Sequence, residues 1–207
     1  INPDIWTGGN VNLGPETAQQ YSVGVVLRPH PRWSLSADWW AINLKNTIQT
    51  LTLAELVANY DYFPERFIRD TTTNEIVTID RRYINSGARQ MQGIEFALRG
   101  SFGLGRNTLA VGMDGTLLLK KREKIKPNAA FGPDLVGVFS YSGDLALKWK
   151  HNAWLTFEND KVSITLTQLF RKGYLNNKLP GIANNSVTRP GFNERVDDYV
   201  TYNLSAT

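Results

Sequence analysis

The side chains with the most chemistry to offer are gathered in one stretch. Tyr60, Tyr62, Phe63, Arg66, Phe67, Arg69, Arg81, Arg82 and Tyr83 all fall in or beside a single long connection of residues 46–90. Guanidinium forks pair with carboxylates and catecholate oxygens, and aromatic rings stack on planar ligands. Such a loop is suited to capturing an anionic chelate, and Tyr60, Tyr62, Arg66, Arg69, Arg81, Arg82 and Tyr83 are the expected ligand-binding residues. The ordinary alternative is that the same side chains brace a long loop.

The rest of the sequence is poor in reactive constellations. His30 sits in a Pro-flanked turn and His151 follows Trp149-Lys150, and neither has a second His, Asp or Glu at ligand spacing. Gly103-Leu104-Gly105-Arg106 resembles the start of a dinucleotide fingerprint, but no third glycine follows and the next segment alternates like a strand. Gly112 and Gly115 lie inside a strand pattern, which suggests close backbone approach or curvature. Asp197-Asp198 precedes a strand and reads as an exposed strand cap rather than a calcium site. No Ser, His and Asp stand at a recognisable spacing, so no catalytic residue, metal or cofactor is expected.

The elements that must position these residues are strands. No window approaches the eighteen or so apolar residues of a spanning helix. Mean hydropathy is −0.31, which still permits a membrane β-barrel, because each strand turns only one face to lipid. Alternation with period two runs through Tyr21–Leu27, Trp33–Lys45, Ile94–Leu98, Leu109–Leu119, Leu145–Trp149, Ala153–Phe157 and Val162–Leu166. About seven strands result. At Trp39-Trp40 the apolar phase slips, as a bulge or an interfacial aromatic pair would require.

Connections alternate strictly between short and long. The short ones are Pro29 to Arg32, Phe102 to Arg106 and Glu158 to Lys161; the long ones are residues 46–90, 121–144 and 172–195. In a meander this sorts all short turns to one end and all long loops to the other, the habit of outer-membrane barrels. Inside the first long loop, Thr52-Leu53-Ala54-Glu55 is a capping box. It predicts a short helix stopping near Asn59, with Leu53, Leu56, Val57 and Tyr60 as its apolar face.

Composition fits this frame. Six Trp and eight Tyr favour a membrane interface. The net charge of +4 is dispersed, with no basic arm, so no nucleic-acid partner is expected. The absence of cysteine removes disulfide and thiolate–metal readings. The opening Ile1-Asn2-Pro3-Asp4 is polar and turn-like, with no signal peptide, so either the protein is cytosolic or its start is missing.

Several segments then resemble one family. Asn12-Leu13-Gly14-Pro15-Glu16-Thr17 is similar to the "NPxLKPET" segment of TonB-dependent receptors, with Gly14 where Lys is usual. Trp33-Ser34-Leu35-Ser36-Ala37-Asp38-Trp39-Trp40-Ala41-Ile42 resembles their "LSxDYW-I" strand. Tyr83-Ile84-Asn85-Ser86-Gly87 followed by Gln92-Gly93-Ile94-Glu95-Phe96 resembles their return strand. Trp149-Lys150-His151-Asn152, Gly173-Tyr174 and Asp198-Tyr199 resemble further barrel positions.

This resemblance implies an all-β antiparallel meander over residues 1–207, part of a transmembrane barrel of about 22 strands, without plug, TonB box or terminal strand. It implies a non-enzymatic outer-membrane receptor of a Gram-negative bacterium that imports a ferric siderophore or similar scarce nutrient. The implied partners are outer-membrane lipid and lipopolysaccharide, the receptor's own plug, and TonB. Two competing readings remain, a complete small outer-membrane barrel with a structural or enzymatic role and a soluble all-β binding module.

Overall fold

The computed structural model describes residues 2–139, 145–176 and 195–207; the stretches 140–144 and 177–194, within the second and third long connections, lie outside the described residues. In chain order the strands are β1 (Asp4–Trp6), β2 (Thr17–His30), β3 (Trp33–Lys45), β4 (Ile48–Gln49), β5 (Phe67–Arg69), β6 (Ile76–Asp80) and β7 (Ile84–Asn85). They continue with β8 (Ala88–Leu104), β9 (Asn107–Lys124), β10 (Trp149–Glu158), β11 (Ser163–Arg171), β12 (Tyr174–Leu175), β13 (Arg195–Val196) and β14 (Tyr199–Ala206). Helix α1 spans Leu53–Ala58. The contacts divide into two compact units: Ile1–Gln19, Asn43–Arg89 and Glu123–Gly132 form a loop unit, and Gln20–Ile42, Gln90–Arg122 and Pro133–Thr207 form a wall unit.

The wall is a seven-stranded sheet in the order β14-β11-β10-β9-β8-β3-β2, a meander in which every strand neighbours its successor among the long strands. The sheet is open, with β2 and β14 at its two edges. Short turns connect β2 to β3, β8 to β9 and β10 to β11, and long connections join the others, so the predicted sorting is present. Period two puts directly paired residues on one face. Leu155 opposes Val111 and Leu166, and Leu166 opposes Leu204, on an apolar face. Asn152 opposes Asp114 and Leu169, and Lys150 opposes Thr116 and Arg171, on the other. Leu204 is 73% exposed and Val23 67%, so large apolar side chains stand uncovered along this face.

The strand ends differ from the sequence pattern in two places. Leu145 and Leu147 precede β10 instead of lying in it, and Val162 ends the turn before β11. The second long connection accounts for the first: Leu135 N–H bonds to the carbonyl of Lys121, a side chain wholly buried in β9, and Gly137 N–H bonds to Ala146 O. Its far end meets the third connection, where Val138 bridges Leu175.

The phase slip at Trp39-Trp40 needs no break in β3, which runs through both residues. Trp40 lies over Gly93, where a Cβ would come within 2.6 Å of its ring. The apolar stripe simply changes faces at that pair. Gly112 and Gly115 are explained the same way: the rings of Trp154 and Phe96 occupy the space a Cβ would need, at 2.2 and 2.5 Å. The close approach is of a neighbouring aromatic ring, not of backbone.

The first long connection is a folded body with its own core. Leu51, Leu56, Phe63, Phe67, Ile79 and Ile84 are buried together, with Ile76 and Ile125 against them. The capping box closes as predicted: Thr52 Oγ1 accepts from Glu55 N–H at 3.2 Å and Glu55 Oε2 accepts from Thr52 N–H at 2.8 Å, with Asn59 at the C-cap. The predicted apolar face is not the buried one. Only Leu56 enters the core, whereas Leu53, Val57 and Tyr60 are exposed, because a helix of 6 residues is too short to bury a full stripe and Leu51 ahead of it fills the place. The opening segment also differs from its turn-like reading: Asp4–Trp6 pairs in parallel with Thr78–Asp80, making the three-stranded sheet β1-β6-β5.

Candidate functional site

The base of the loop unit is fastened by the motif residues of the return segment. Asn85 Oδ1 accepts from Gly14 N–H at 2.6 Å, and its Nδ2 donates to Gly14 O at 2.8 Å and Asn46 O at 3.0 Å. Glu16 Oε1 accepts from Ile48 N–H at 2.5 Å. Buried Thr47 donates its hydroxyl to Ser86 O at 2.6 Å and accepts Ser86 N–H on its own carbonyl at 2.9 Å. Gly87 has φ of 74°, and a Cβ there would fall 1.8 Å from Lys124 O, so only glycine fits.

On this base the expected binding residues form two groups at opposite ends of β5. At one end Asp80, buried in the loop unit, takes Arg66 Nη1 at 3.1 Å and a fork from Arg82, with Nε at 2.9 Å and Nη2 at 2.8 Å. The Arg82 fork, its backbone N–H and the Arg66 charge outweigh burial and hold the Asp80 carboxyl well down, to about 2. The Arg82 guanidinium also lies 5.3 Å over the Trp6 ring. At the other end Arg69 donates to Asn74 O at 2.7 Å and to the Tyr60 hydroxyl at 3.2 Å, and the Tyr60 ring packs 4.8 Å from Phe67.

The remaining members stand apart from both groups. Arg81 Nε donates to Leu51 O at 3.0 Å. Tyr62 meets Phe63 edge to face at 4.7 Å, with Lys126 over its ring at 5.5 Å. Tyr83 is tied through its backbone to Gly8 and Asn10 while its ring stays exposed. Phe63 and Phe67 belong to the core. Tyr60, Tyr62, Arg69 and Tyr83 are therefore the exposed members, and Arg66, Arg81 and Arg82 are spent on partners inside the loop.

Three participants were missed in the sequence. Asp80 stands directly before Arg81-Arg82, a signal that an acid could be paired there. Trp6 and Lys126 come from distant segments, and nothing local marks them.

The wall's polar face carries a second concentration of charge. Ser36, Asp38, Glu95, Asp114, Lys150 and Arg171 line one recess. Arg99 grips Asp114 with both oxygens at 2.7 and 2.8 Å and lies 4.4 Å over the Trp154 ring. Asp198, the expected strand cap, accepts Gly173 N–H at 2.7 Å and Lys172 Nζ at 3.0 Å, which lowers its pKa. His30 accepts Arg32 N–H at 3.2 Å. Among the described residues no three His, Cys, Asp or Glu side chains gather as metal ligands.

Comparison with solved structures returns this architecture. The FrpB iron transporter from Neisseria meningitidis (F3-3 variant) superposes with a TM-score of 0.55 at 11% identity, over 97% of this chain and 25% of its own. The siderophore receptor PirA from Acinetobacter baumannii superposes with a TM-score of 0.56 at 15% identity, over 96% and 26%. The chain spans about a quarter of the length of these receptors, and at such identities the likeness is one of fold. No curated protein matches the sequence significantly. A family model described as TonB dependent receptor-like, beta-barrel matches residues 1–207, and the chain belongs to that family.

Proposed function

We propose that residues 1–207 are part of the barrel domain of a nutrient-uptake receptor in the outer membrane of a Gram-negative bacterium. The observation that carries this reading is the wall: a two-faced antiparallel meander with every long connection at one end. A soluble sandwich has no reason to leave Leu204, Leu166 and Val23 uncovered along one face. A complete small barrel would pair its first and last long strands, whereas β2 and β14 stand at opposite edges of the sheet. The apolar face meets lipid and lipopolysaccharide, and the polar face turns inward toward a plug through which TonB supplies energy. The work done is transport, not catalysis.

The loop unit is the capture element for a ferric siderophore or a comparable anionic chelate. Tyr60, Tyr62, Arg69 and Tyr83 contact the ligand, and Arg66, Arg81 and Arg82 keep the loop in shape through Asp80 and Leu51. A preformed loop binds without a large ordering cost. In support, one similar structure is an iron transporter and another a siderophore receptor. The test is a titration of the intact receptor with a panel of ferric catecholates and hydroxamates. Combining Arg69→Ala, Tyr62→Ala and Tyr83→Ala is expected to weaken the cognate ligand by tenfold or more, about 1.4 kcal/mol. Unchanged affinity across the panel would reject the loop as the capture element.

A further inference from the structure

On the apolar face of the wall, at the long-connection end of its strands, polar side chains form a hydrogen-bonded chain. Trp149 Nε1 donates to His151 Nδ1 at 2.8 Å, His151 Nε2 lies 2.9 Å from Gln168 Oε1, and Gln168 Nε2 donates to the Tyr202 hydroxyl at 2.8 Å. The polarity of this chain is fixed from one end. An indole nitrogen can only donate, so Nδ1 accepts and the imidazole proton sits on Nε2. Nε2 then donates to the Gln168 oxygen, the Gln168 amide donates to Tyr202, and the Tyr202 proton is left over. Bonds aligned in one direction polarise one another, which sharpens that last donor.

Aromatic rings flank the chain, and the ion pair of Lys172 with Asp198 lies just beyond Arg171 and Tyr199 at the strand ends. Phe96 stacks on Trp149 at 4.8 Å and Phe170 on His151 at 5.1 Å. Register places Leu166 and Leu204 on the same face, one step further down their strands, both exposed, while Lys150 and Arg171 go to the opposite face. Tyr202 itself is 62% exposed. An occupant that is apolar against the leucines and offers a neutral acceptor at the level of Tyr202 fits this surface. We propose that this is a membrane-lipid site in which the Tyr202 hydroxyl donates to an acyl-ester carbonyl while the acyl chain lies on Leu166 and Leu204.

The proposal rests on the outer-membrane reading, and one experiment separates the two. The full-length receptor carrying this segment is reconstituted with phosphatidylethanolamine or its ether-linked analogue, and retained lipid is counted by native mass spectrometry. The unaltered receptor is expected to retain the ester lipid about fivefold more strongly, the worth of one neutral hydrogen bond. Tyr202→Phe is expected to abolish that preference, and Tyr199→Phe, on the opposite face, to keep it. A receptor that inserts but holds both lipids equally, or whose preference survives Tyr202→Phe, overturns the site. A receptor that does not enter the bilayer overturns both the site and the membrane reading.

Discussion

The loop unit and the wall solve opposite problems. The loop unit buries Leu56, Phe63, Phe67 and Ile79 against one another and neutralises buried Asp80 with two arginines. It satisfies itself internally, as a small domain in water must. The wall leaves Val23, Leu155, Leu166 and Leu204 exposed on one face and Asp114, Lys150 and Arg171 on the other. Its order comes from ladder hydrogen bonds, and its two faces differ in polarity. A residue's exposure therefore means different things in the two units: in the loop an exposed ring stands out from a closed core, and in the wall it belongs to a continuous uncovered face.

Substitutions can break this contrast at either end, and the largest effect is expected in the loop core. Leu56→Ala should cost the loop unit roughly 3 kcal/mol by emptying a fully buried site. Hydrogen exchange should then rise across residues 47–84 while the amides of β9 to β11 keep their protection. Equal loss of protection in those strands would show that the two units are one cooperative body.

Next comes the wall. Leu166→Lys should destabilise the inserted receptor by about 2–4 kcal/mol at mid-membrane depth, and the adjacent Thr167→Lys, on the polar face, by less than about 1 kcal/mol. Folding titrations into vesicles measure both. Equal effects would remove the assignment of faces. The smallest effect is a pH dependence confined to the loop. Asp80 is held to about 2, below its ordinary 3.8, so its contribution is full above pH 4 and lost as pH falls through 2. That linkage is worth about 2 kcal/mol. It should appear as increased proteolysis of the loop in acid, an increase absent in Asp80→Asn, whose loop should be weakened at every pH.

The same contrast decides what could be read from the residues alone. The wall was legible because a two-faced sheet imposes period two on every strand, and because strict alternation of short and long connections is the habit of outer-membrane barrels. Helix α1 was legible because a capping box is local. Its buried face was not, since Leu56 is chosen over Leu53 and Val57 by a core assembled from Phe63, Phe67 and Ile79. Strand β1 was invisible for the same reason: three residues gain their order from Thr78 to Asp80, more than seventy positions later. Among the proposed binding residues, the shared neighbourhood in one connection was legible. Their division into exposed side chains and internal braces was not, because it turns on Asp80, whose partners are set by the fold of β5 and β6.

Asn85 has a consequence for how such a protein can change over generations. By tying Gly14 to Asn46, and with Thr47 and Ser86 bonded beside it, it closes the first connection at its foot. The stretch from residue 48 to residue 84 is thereby closed at its two ends by bonds that do not involve its interior, so an insertion or deletion within it is expected to leave that closure intact.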